Sequence, residues 1–224
     1  MAKTNQKFQR ARSSEAKEQR EAAILKAARA LAARHGVRQV TLTDIADAVG
    51  MHKSALLRYF ETREQIFLVL TGEGWREWSS ALRKELIQFV EPSPTTVAGA
   101  FTKTLTARPM FCDLLAQAPL NLERNVSLDA VRTFKLIALN EVKAIGSEVE
   151  RLLGLSSRQA TDTIATATSM AGALWQMATP GPEVQSLYRR EPQLAHAIVD
   201  VGPRLTRILE GLLMGYLAEA AKKC

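Results

Sequence analysis

The stretch from Thr41 to Phe60, TLTDIADAVGMHKSALLRYF, reads as two short helices joined by a tight turn. Thr41 has the side chain of an N-cap, and Asp44, three residues on, supplies the acidic partner of a capping box. Leu42, Ile45, Ala46 and Val49 then fall at spacings of three, four and seven and make one apolar stripe. Ala46 is small enough for a second helix to cross close to it. Gly50 follows the last periodic residue, where a left-handed residue stops a helix. Met51 and His52 form the turn. A second helix is expected from about Lys53 to Phe60, with Leu56 and Phe60 four apart on its buried face. The other face presents Lys53, Ser54, Ala55, Arg58 and Tyr59. Cations and hydroxyls suit phosphate oxygens, a small residue permits close approach, and arginine suits base edges. A helical hairpin in an ordinary core, with a solvated polar face, would show the same pattern, so the surroundings must decide.

The first of those surroundings is charge. Residues 1–63 hold 13 Lys and Arg against 6 Asp and Glu, whereas residues 64–224 hold 17 of each. The whole net charge of +7 therefore sits on the segment that contains the hairpin. A basic segment attached to a neutral one is the footprint of a polyanion binder, although a solvated basic surface has the same composition. Residues 1–14 lack apolar periodicity and carry Lys3, Lys7, Arg10 and Arg12; they read as a disordered basic arm, either on phosphates or merely solubilising. From about Glu15 to His35 a helix is expected, with Ile24, Leu25, Ala28, Leu31 and Ala32 on one face and Gly36 at its end. Its apolar face would cover the hairpin, so residues 15–63 form a three-helix unit.

Several features now stand in register: a helix ending in HGV, then TLTDIADAVG, then a turn and LLRYF, then TREQIF. Together, over roughly residues 18–78, they resemble the DNA-binding domain of the tetracycline-repressor (TetR) family of bacterial transcriptional regulators. The resemblance implies a fold and a set of roles. Thr41 and Thr43 would contact backbone phosphate. Lys53, Ser54 and Ala55 would open the recognition helix in the major groove. Tyr59 stands at a DNA-contacting position often held by His, and Arg63 where a phosphate-binding Lys is usual. Leu57 stands where a Tyr is common, and His52 where Ser or Thr is usual. Either departure bears on any operator sequence inferred from a relative.

Beyond the hairpin, Thr62 and Gln65 form a second capping-box pattern, opening a helix whose apolar positions reach Phe89. In the family this helix links the two domains. The segment Glu91-Pro-Ser-Pro-Thr95 breaks the chain. Helices are then expected near 95–106, 109–117, 126–153, 157–178 and 203–221, with a shorter one at 193–200 and a loop at Pro180-Gly-Pro182. The stretch PMFCDLLAQAPLNLER, residues 109–124, is similar to one in a subset of TetR-like regulators. The expected architecture is all-α: a three-helix DNA-binding domain plus a larger helical domain, residues 64–224, for ligand binding and dimerisation.

In that larger domain Trp75, Trp78, Phe101, Phe111, Phe134 and Trp175 are candidate walls of an effector pocket, the alternative for each being plain core. Small and apolar residues run down two helices: Ile164, Ala167, Ala171, Leu174 and Ala178 on one, Leu205, Ile208, Leu209, Leu212, Leu213, Tyr216 and Leu217 on the other. They are expected at a homodimer interface built as a four-helix bundle, unless they complete the chain's own core.

Other chemistries find little support. No metal-ligand spacing is present, the three histidines (His35, His52, His196) are scattered, and no phosphate-cradling glycine loop occurs, so no cofactor is implied. No apolar run reaches eighteen residues, and the N-terminus lacks the apolar centre of a secretory signal. With only Cys112 and Cys224, a reducing cytoplasm is the expected compartment. Cys112 has Asp113 beside it and no neighbouring cation, so an activated thiolate is not expected. Three functions are therefore weighed. The favoured one is a homodimeric repressor released from a palindromic operator by a small molecule. The others are an activator or sequence-tolerant DNA binder without an inducer, and an all-helical enzyme.

Overall fold

The computed structural model describes residues 2–221, apart from the side chains of residues 2–14, 195 and 196. Among the described residues ten α-helices follow one another: α1 Ala2–His35, α2 Leu42–Ala48, α3 Lys53–Leu56, α4 Arg63–Leu86, α5 Pro94–Thr106, α6 Pro109–Gln117, α7 Leu128–Leu153, α8 Ser157–Ala178, α9 Pro182–Arg190 and α10 Val201–Ala221. A short 3-10 turn, Val37–Gln39, joins α1 to α2, a π turn, Ala118–Leu122, extends α6, and a second 3-10 segment, Pro192–Ala197, precedes α10. Among the described residues there is no strand, and no helix is long and apolar enough to cross a membrane.

Five of the helices, α2, α4, α5, α7 and α8, start where the sequence supplies a side-chain cap. Ser93, Ser127 and Ser156 each accept from the backbone N–H three residues on. At Thr62 the box is skewed. The Thr62 hydroxyl accepts from Gln65 N–H at 3.1 Å, but the Gln65 side chain reaches past the cap to Glu61 N–H at 2.7 Å.

Three expectations are corrected. The stretch read as a disordered arm continues α1: it lacks Gly and Pro and is rich in Lys, Arg, Gln and Ala, which prolong a helix once it is nucleated. The side chains of Lys3, Lys7, Arg10 and Arg12, and Cys224, lie outside the described residues. A ninth helix, Pro182–Arg190, begins within the expected Pro180-Gly-Pro182 loop and runs through residues assigned no element, because Pro182 sits at its first turn, where proline starts a helix. The apolar stripes assigned to a dimer interface are largely core of the chain itself. Ile164, Ala167, Ala171 and Leu174 of α8 and Leu205, Leu209 and Leu213 of α10 are all buried, because α8 packs on α6, α7 and α10, and α10 on α5.

The core is one continuous cluster running from Ile24 and Ala28 of α1 through α2, α3 and α4 into the larger domain. Helix α4 is the shared element. Ile66, Phe67 and Leu70 are buried near its hairpin end, and Trp78, Leu82 and Leu86 near its far end.

Candidate nucleic-acid interface

The hairpin is built by its caps. Thr41 Oγ1 accepts from Asp44 N–H at 3.2 Å, and Asp44 Oδ2 accepts from Thr41 N–H and from its hydroxyl, each at 2.7 Å. Those Thr41 bonds, the backbone one first, hold the Asp44 carboxyl below the usual carboxylate range. At the other end of α2, Met51 N–H donates to the Ala46 carbonyl at 2.9 Å and Gly50 N–H to the Asp47 carbonyl at 3.1 Å. This paired closure needs a left-handed residue at Gly50, whose φ is +67°. Ile45, Ala46, Leu56 and Phe60 are buried, with α2 packed on α1 and α3 on α2.

The second helix of the pair is shorter than its periodicity suggests. Only Lys53–Leu56 is α-helical; Arg58 and Tyr59 donate to the carbonyls of Ala55 and Leu56, three residues back, at 3.2 and 2.9 Å. His52 provides no side-chain cap, consistent with the missing Ser or Thr. The polar face survives this shortening. Thr41, Thr43, Lys53, Ser54 and Arg58 are exposed, and Ala55 and Tyr59 are half-buried.

Sequence reasoning overlooked three nearby cations. Lys17 and Arg20 of α1 line a shallow groove with Arg58 and Tyr59, and Arg38 in the 3-10 turn lines a depression with Thr41 and Lys53. The first pair could have been found from helical spacing, since both lie on one α1 face at i and i+3. Arg38 carried no sequence signal beyond its charge.

Arg63 is a correction. The resemblance puts it on phosphate, but the structure turns it inward, with its side chain 18% exposed. Its Nε donates to the Val40 carbonyl, its Nη2 to the Val37 carbonyl, and its Nη1 to Glu64 Oε1 at 3.0 Å, while the guanidinium lies 4.7 Å from the Phe67 ring centroid. A rigid five-donor fork suits two carbonyls and a carboxylate at once. Arg63 thus fastens the 37–40 turn to α4.

Further ties cross from residues 15–63 to the larger domain. Arg29 of α1 bonds Glu73 of α4 at 2.5 Å. Glu61 Oε1 accepts from both the N–H and the hydroxyl of Ser127, the cap of α7, at 2.9 Å each. Asp113 of α6 accepts from Val37 N–H at 2.7 Å.

The six aromatic pocket candidates do not line one cavity. Trp75, Trp78, Phe101 and Phe111 are buried and pack on one another, largely edge to face, at centroid distances of 5.5–6.0 Å. Trp78 Nε1 donates to Thr104 Oγ1 at 3.0 Å, so this cluster is closed core. Phe134 lies apart, lining a groove of about 370 Å³ between α4 and α7 with Leu68, Val69, Glu73, Arg76, Ser127 and Ile137 among its walls. Trp175 lines a different cleft, of about 440 Å³, between the end of α1, α6 and α8. Cys112 is buried, donates to the Leu105 carbonyl, and has its thiol pushed up to about 12, first by burial and then by Asp113. Among the described residues no group of three or more His, Cys, Asp or Glu is placed to hold a metal.

Comparison with known proteins agrees with this geometry. The family model described as "Bacterial regulatory proteins, tetR family" matches residues 24–70, and "Tetracyclin repressor-like, C-terminal domain" matches residues 73–220. No curated protein matches the chain. Among solved structures, RolR in complex with resorcinol is similar at 16% identity, covering 93% of this chain and 94% of that one, with a TM-score of 0.57. A tetR-family regulatory protein from Rhodococcus RHA1 is similar at 16% identity, 88% and 96% coverage and a TM-score of 0.56. Thermus thermophilus FadR, a TetR-family repressor in complex with lauroyl-CoA, is similar at 19% identity, 80% and 95% coverage and a TM-score of 0.52. With two family models together spanning most of its length, and a capped hairpin presenting a polar, basic face, the chain belongs to the TetR family of helix-turn-helix transcriptional regulators.

Proposed function

We propose that this regulator is a homodimeric repressor that binds a palindromic operator and releases it when a small molecule enters the larger domain. The observation that carries the proposal is the hairpin itself: a capped helix and a short second one whose free face gathers Thr43, Lys53, Ser54, Arg58 and Tyr59 beside Lys17, Arg20 and Arg38. In this reading Lys53, Ser54, Ala55 and Tyr59 enter the major groove. Thr41, Thr43 and the α1 cations hold phosphates, and Arg63 braces the turn behind them.

Helices α8 and α10 remain the elements expected to pair between subunits, but through another face. Their inner residues are taken up by the chain's own core, which leaves Thr161, Ala165, Ser169 and Ala173 of α8 and Gly211, Met214, Gly215 and Ala218 of α10 exposed. Small residues on two adjacent helices permit the close approach of a four-helix bundle. For the effector, the α4–α7 groove is the better seat than the closed aromatic cluster. It offers apolar walls, the exposed Arg76 for an anionic or polar group, and contact with Glu73 and Ser127, which tie it to the hairpin domain. An effector there drives release only by favouring the state that does not bind DNA. Related regulators hold molecules as unlike as resorcinol and lauroyl-CoA, so the fold itself leaves effector chemistry open.

The test is fluorescence anisotropy of the purified protein on the DNA upstream of its own gene, against a scrambled duplex, at two salt concentrations. Tight upstream binding that survives salt better than scrambled binding supports an operator-specific regulator. Equal binding to both that collapses with salt would replace it with a sequence-tolerant DNA binder.

A further inference from the structure

We propose that Asp113 is a positioning residue that fixes the bearing of the recognition hairpin, and through it the spacing between operator half-sites that the dimer accepts. This inference rests on the DNA-reading function proposed above.

Asp113 lies on α6 and bonds in two directions. Its Oδ2 accepts from Val37 N–H at 2.7 Å, and its Oδ1 accepts from Gln176 Nε2 of α8 at 2.8 Å. The α6–α8 pair is a stiff base for this contact. At Gly172 of α8 the Ala116 backbone nitrogen of α6 stands only 2.9 Å from where a Cβ would be, so the two helices touch backbone to backbone. Val37 lies in the 3-10 turn, just after Gly36 ends α1, and is buried. Its carbonyl and that of Val40 are both held by Arg63, at the head of α4. Thr41, the cap of the hairpin, follows directly. A continuous path of bonds therefore runs from α8, an expected dimer helix, through Gln176, Asp113, the 37–40 turn and Arg63 to the first residue of the hairpin.

The geometry of a dimer makes this path matter. Two recognition helices must meet half-sites about 34–36 Å apart, and each inserted base pair shifts one of them by roughly 3.4 Å along the duplex. A hairpin held at one bearing accepts one spacing. A hairpin whose turn is held by Arg63 alone still folds and still reads bases, but it can swing on α4 and accept several spacings.

The experiment selects duplexes from a random library with the full-length protein and compares the half-site spacing of the enriched palindromes. The wild type is expected to enrich one dominant spacing. Asp113→Ala should enrich a spread of one or two base pairs on either side and bind the wild-type spacing about tenfold more weakly. Asp113→Asn keeps an oxygen that accepts from Val37 N–H, and Gln176 can turn its own carbonyl toward the new amide, so this variant should restore the single spacing. If Asp113→Ala does not fold, Gln176→Ala decides, with a partial broadening expected. A single, unchanged spacing in Asp113→Ala, or in Gln176→Ala where the first is unfolded, overturns the inference whatever the change in affinity. Failure of the wild type to enrich any palindrome is a different result and overturns the DNA-reading function with it.

Discussion

At Arg63 the family resemblance and the geometry part. The sequence identifies a cation at the head of α4 but not the two carbonyls, Val37 and Val40, that lie within reach only after the turn has folded beneath it. Arg63→Ala should therefore lower unfolding free energy by about 2–4 kcal/mol, the scale of breaking a part-buried charged network. Arg63→Lys should recover little, because an ammonium cannot reproduce the fork. Denaturant titration checks both, and the salt slope of residual DNA binding should not change; a slope reduced by about one would return Arg63 to phosphate. Tyr59 stays at the edge of the polar face, so Tyr59→Ala should weaken operator binding by roughly tenfold and random-duplex binding much less. Equal losses would make Tyr59 a backbone contact. Asp44 gives a pH test. Its folded carboxyl is depressed by Thr41, so its contribution is present above the unfolded carboxylate value and is lost as pH falls through the folded one. The melting-temperature gap between wild type and Asp44→Ala should shrink below about pH 4. That cap was fully legible in the sequence, because a capping box is local: its partners are three residues apart.

Among the elements, legibility followed the range of the interactions that hold each one. The ends of α2, α5, α7 and α8 are marked by short-range caps, and the sequence located them within a few residues. Helix α9 buries none of its residues, and its apolar positions, Val184, Leu187 and Tyr188, make only a single-turn stripe; the first-turn proline marks its start. The recognition helix looked longer than it is because Leu56 and Phe60 sit four apart, although Arg58 and Tyr59 between them bond only three residues back. Periodicity on α8 and α10 likewise reported a buried face without saying what buries it, and the answer was the same chain. The α6–α8 contact gives the element-scale prediction. A Cβ at Gly172 would stand 2.9 Å from Ala116 N and 3.2 Å from its Cα, both backbone atoms that cannot turn aside. Gly172→Ala should force the helices apart and cost about 1–3 kcal/mol, read as a lower melting temperature.

On the scale of the whole molecule, all the excess positive charge belongs to residues 1–63, whereas the faces of α8 and α10 proposed to pair between subunits belong to a part that is neutral overall. Charge on the face proposed above for dimerisation should therefore act on assembly rather than on steering. Ala173→Glu should yield a folded monomer by light scattering with operator affinity greatly reduced, because each half-site is then bound alone; a dimer of unchanged stability would move the interface elsewhere. The aromatic cluster, by contrast, was visible only as a roster of residues, since the mutual packing of Trp75, Trp78, Phe101 and Phe111 brings α4, α5 and α6 together and no local spacing encodes it. One consequence concerns modularity. Besides the Arg29–Glu73 pair, the hairpin unit is hydrogen-bonded to its neighbour through Val37 N–H on Asp113 and Glu61 on Ser127. Neither partner lies within residues 15–63. A chimera that grafts this unit onto the sensor of another regulator would leave a buried backbone donor without an acceptor unless the host carries an accepting side chain in the place of Asp113. This DNA reader can be exchanged only together with its socket.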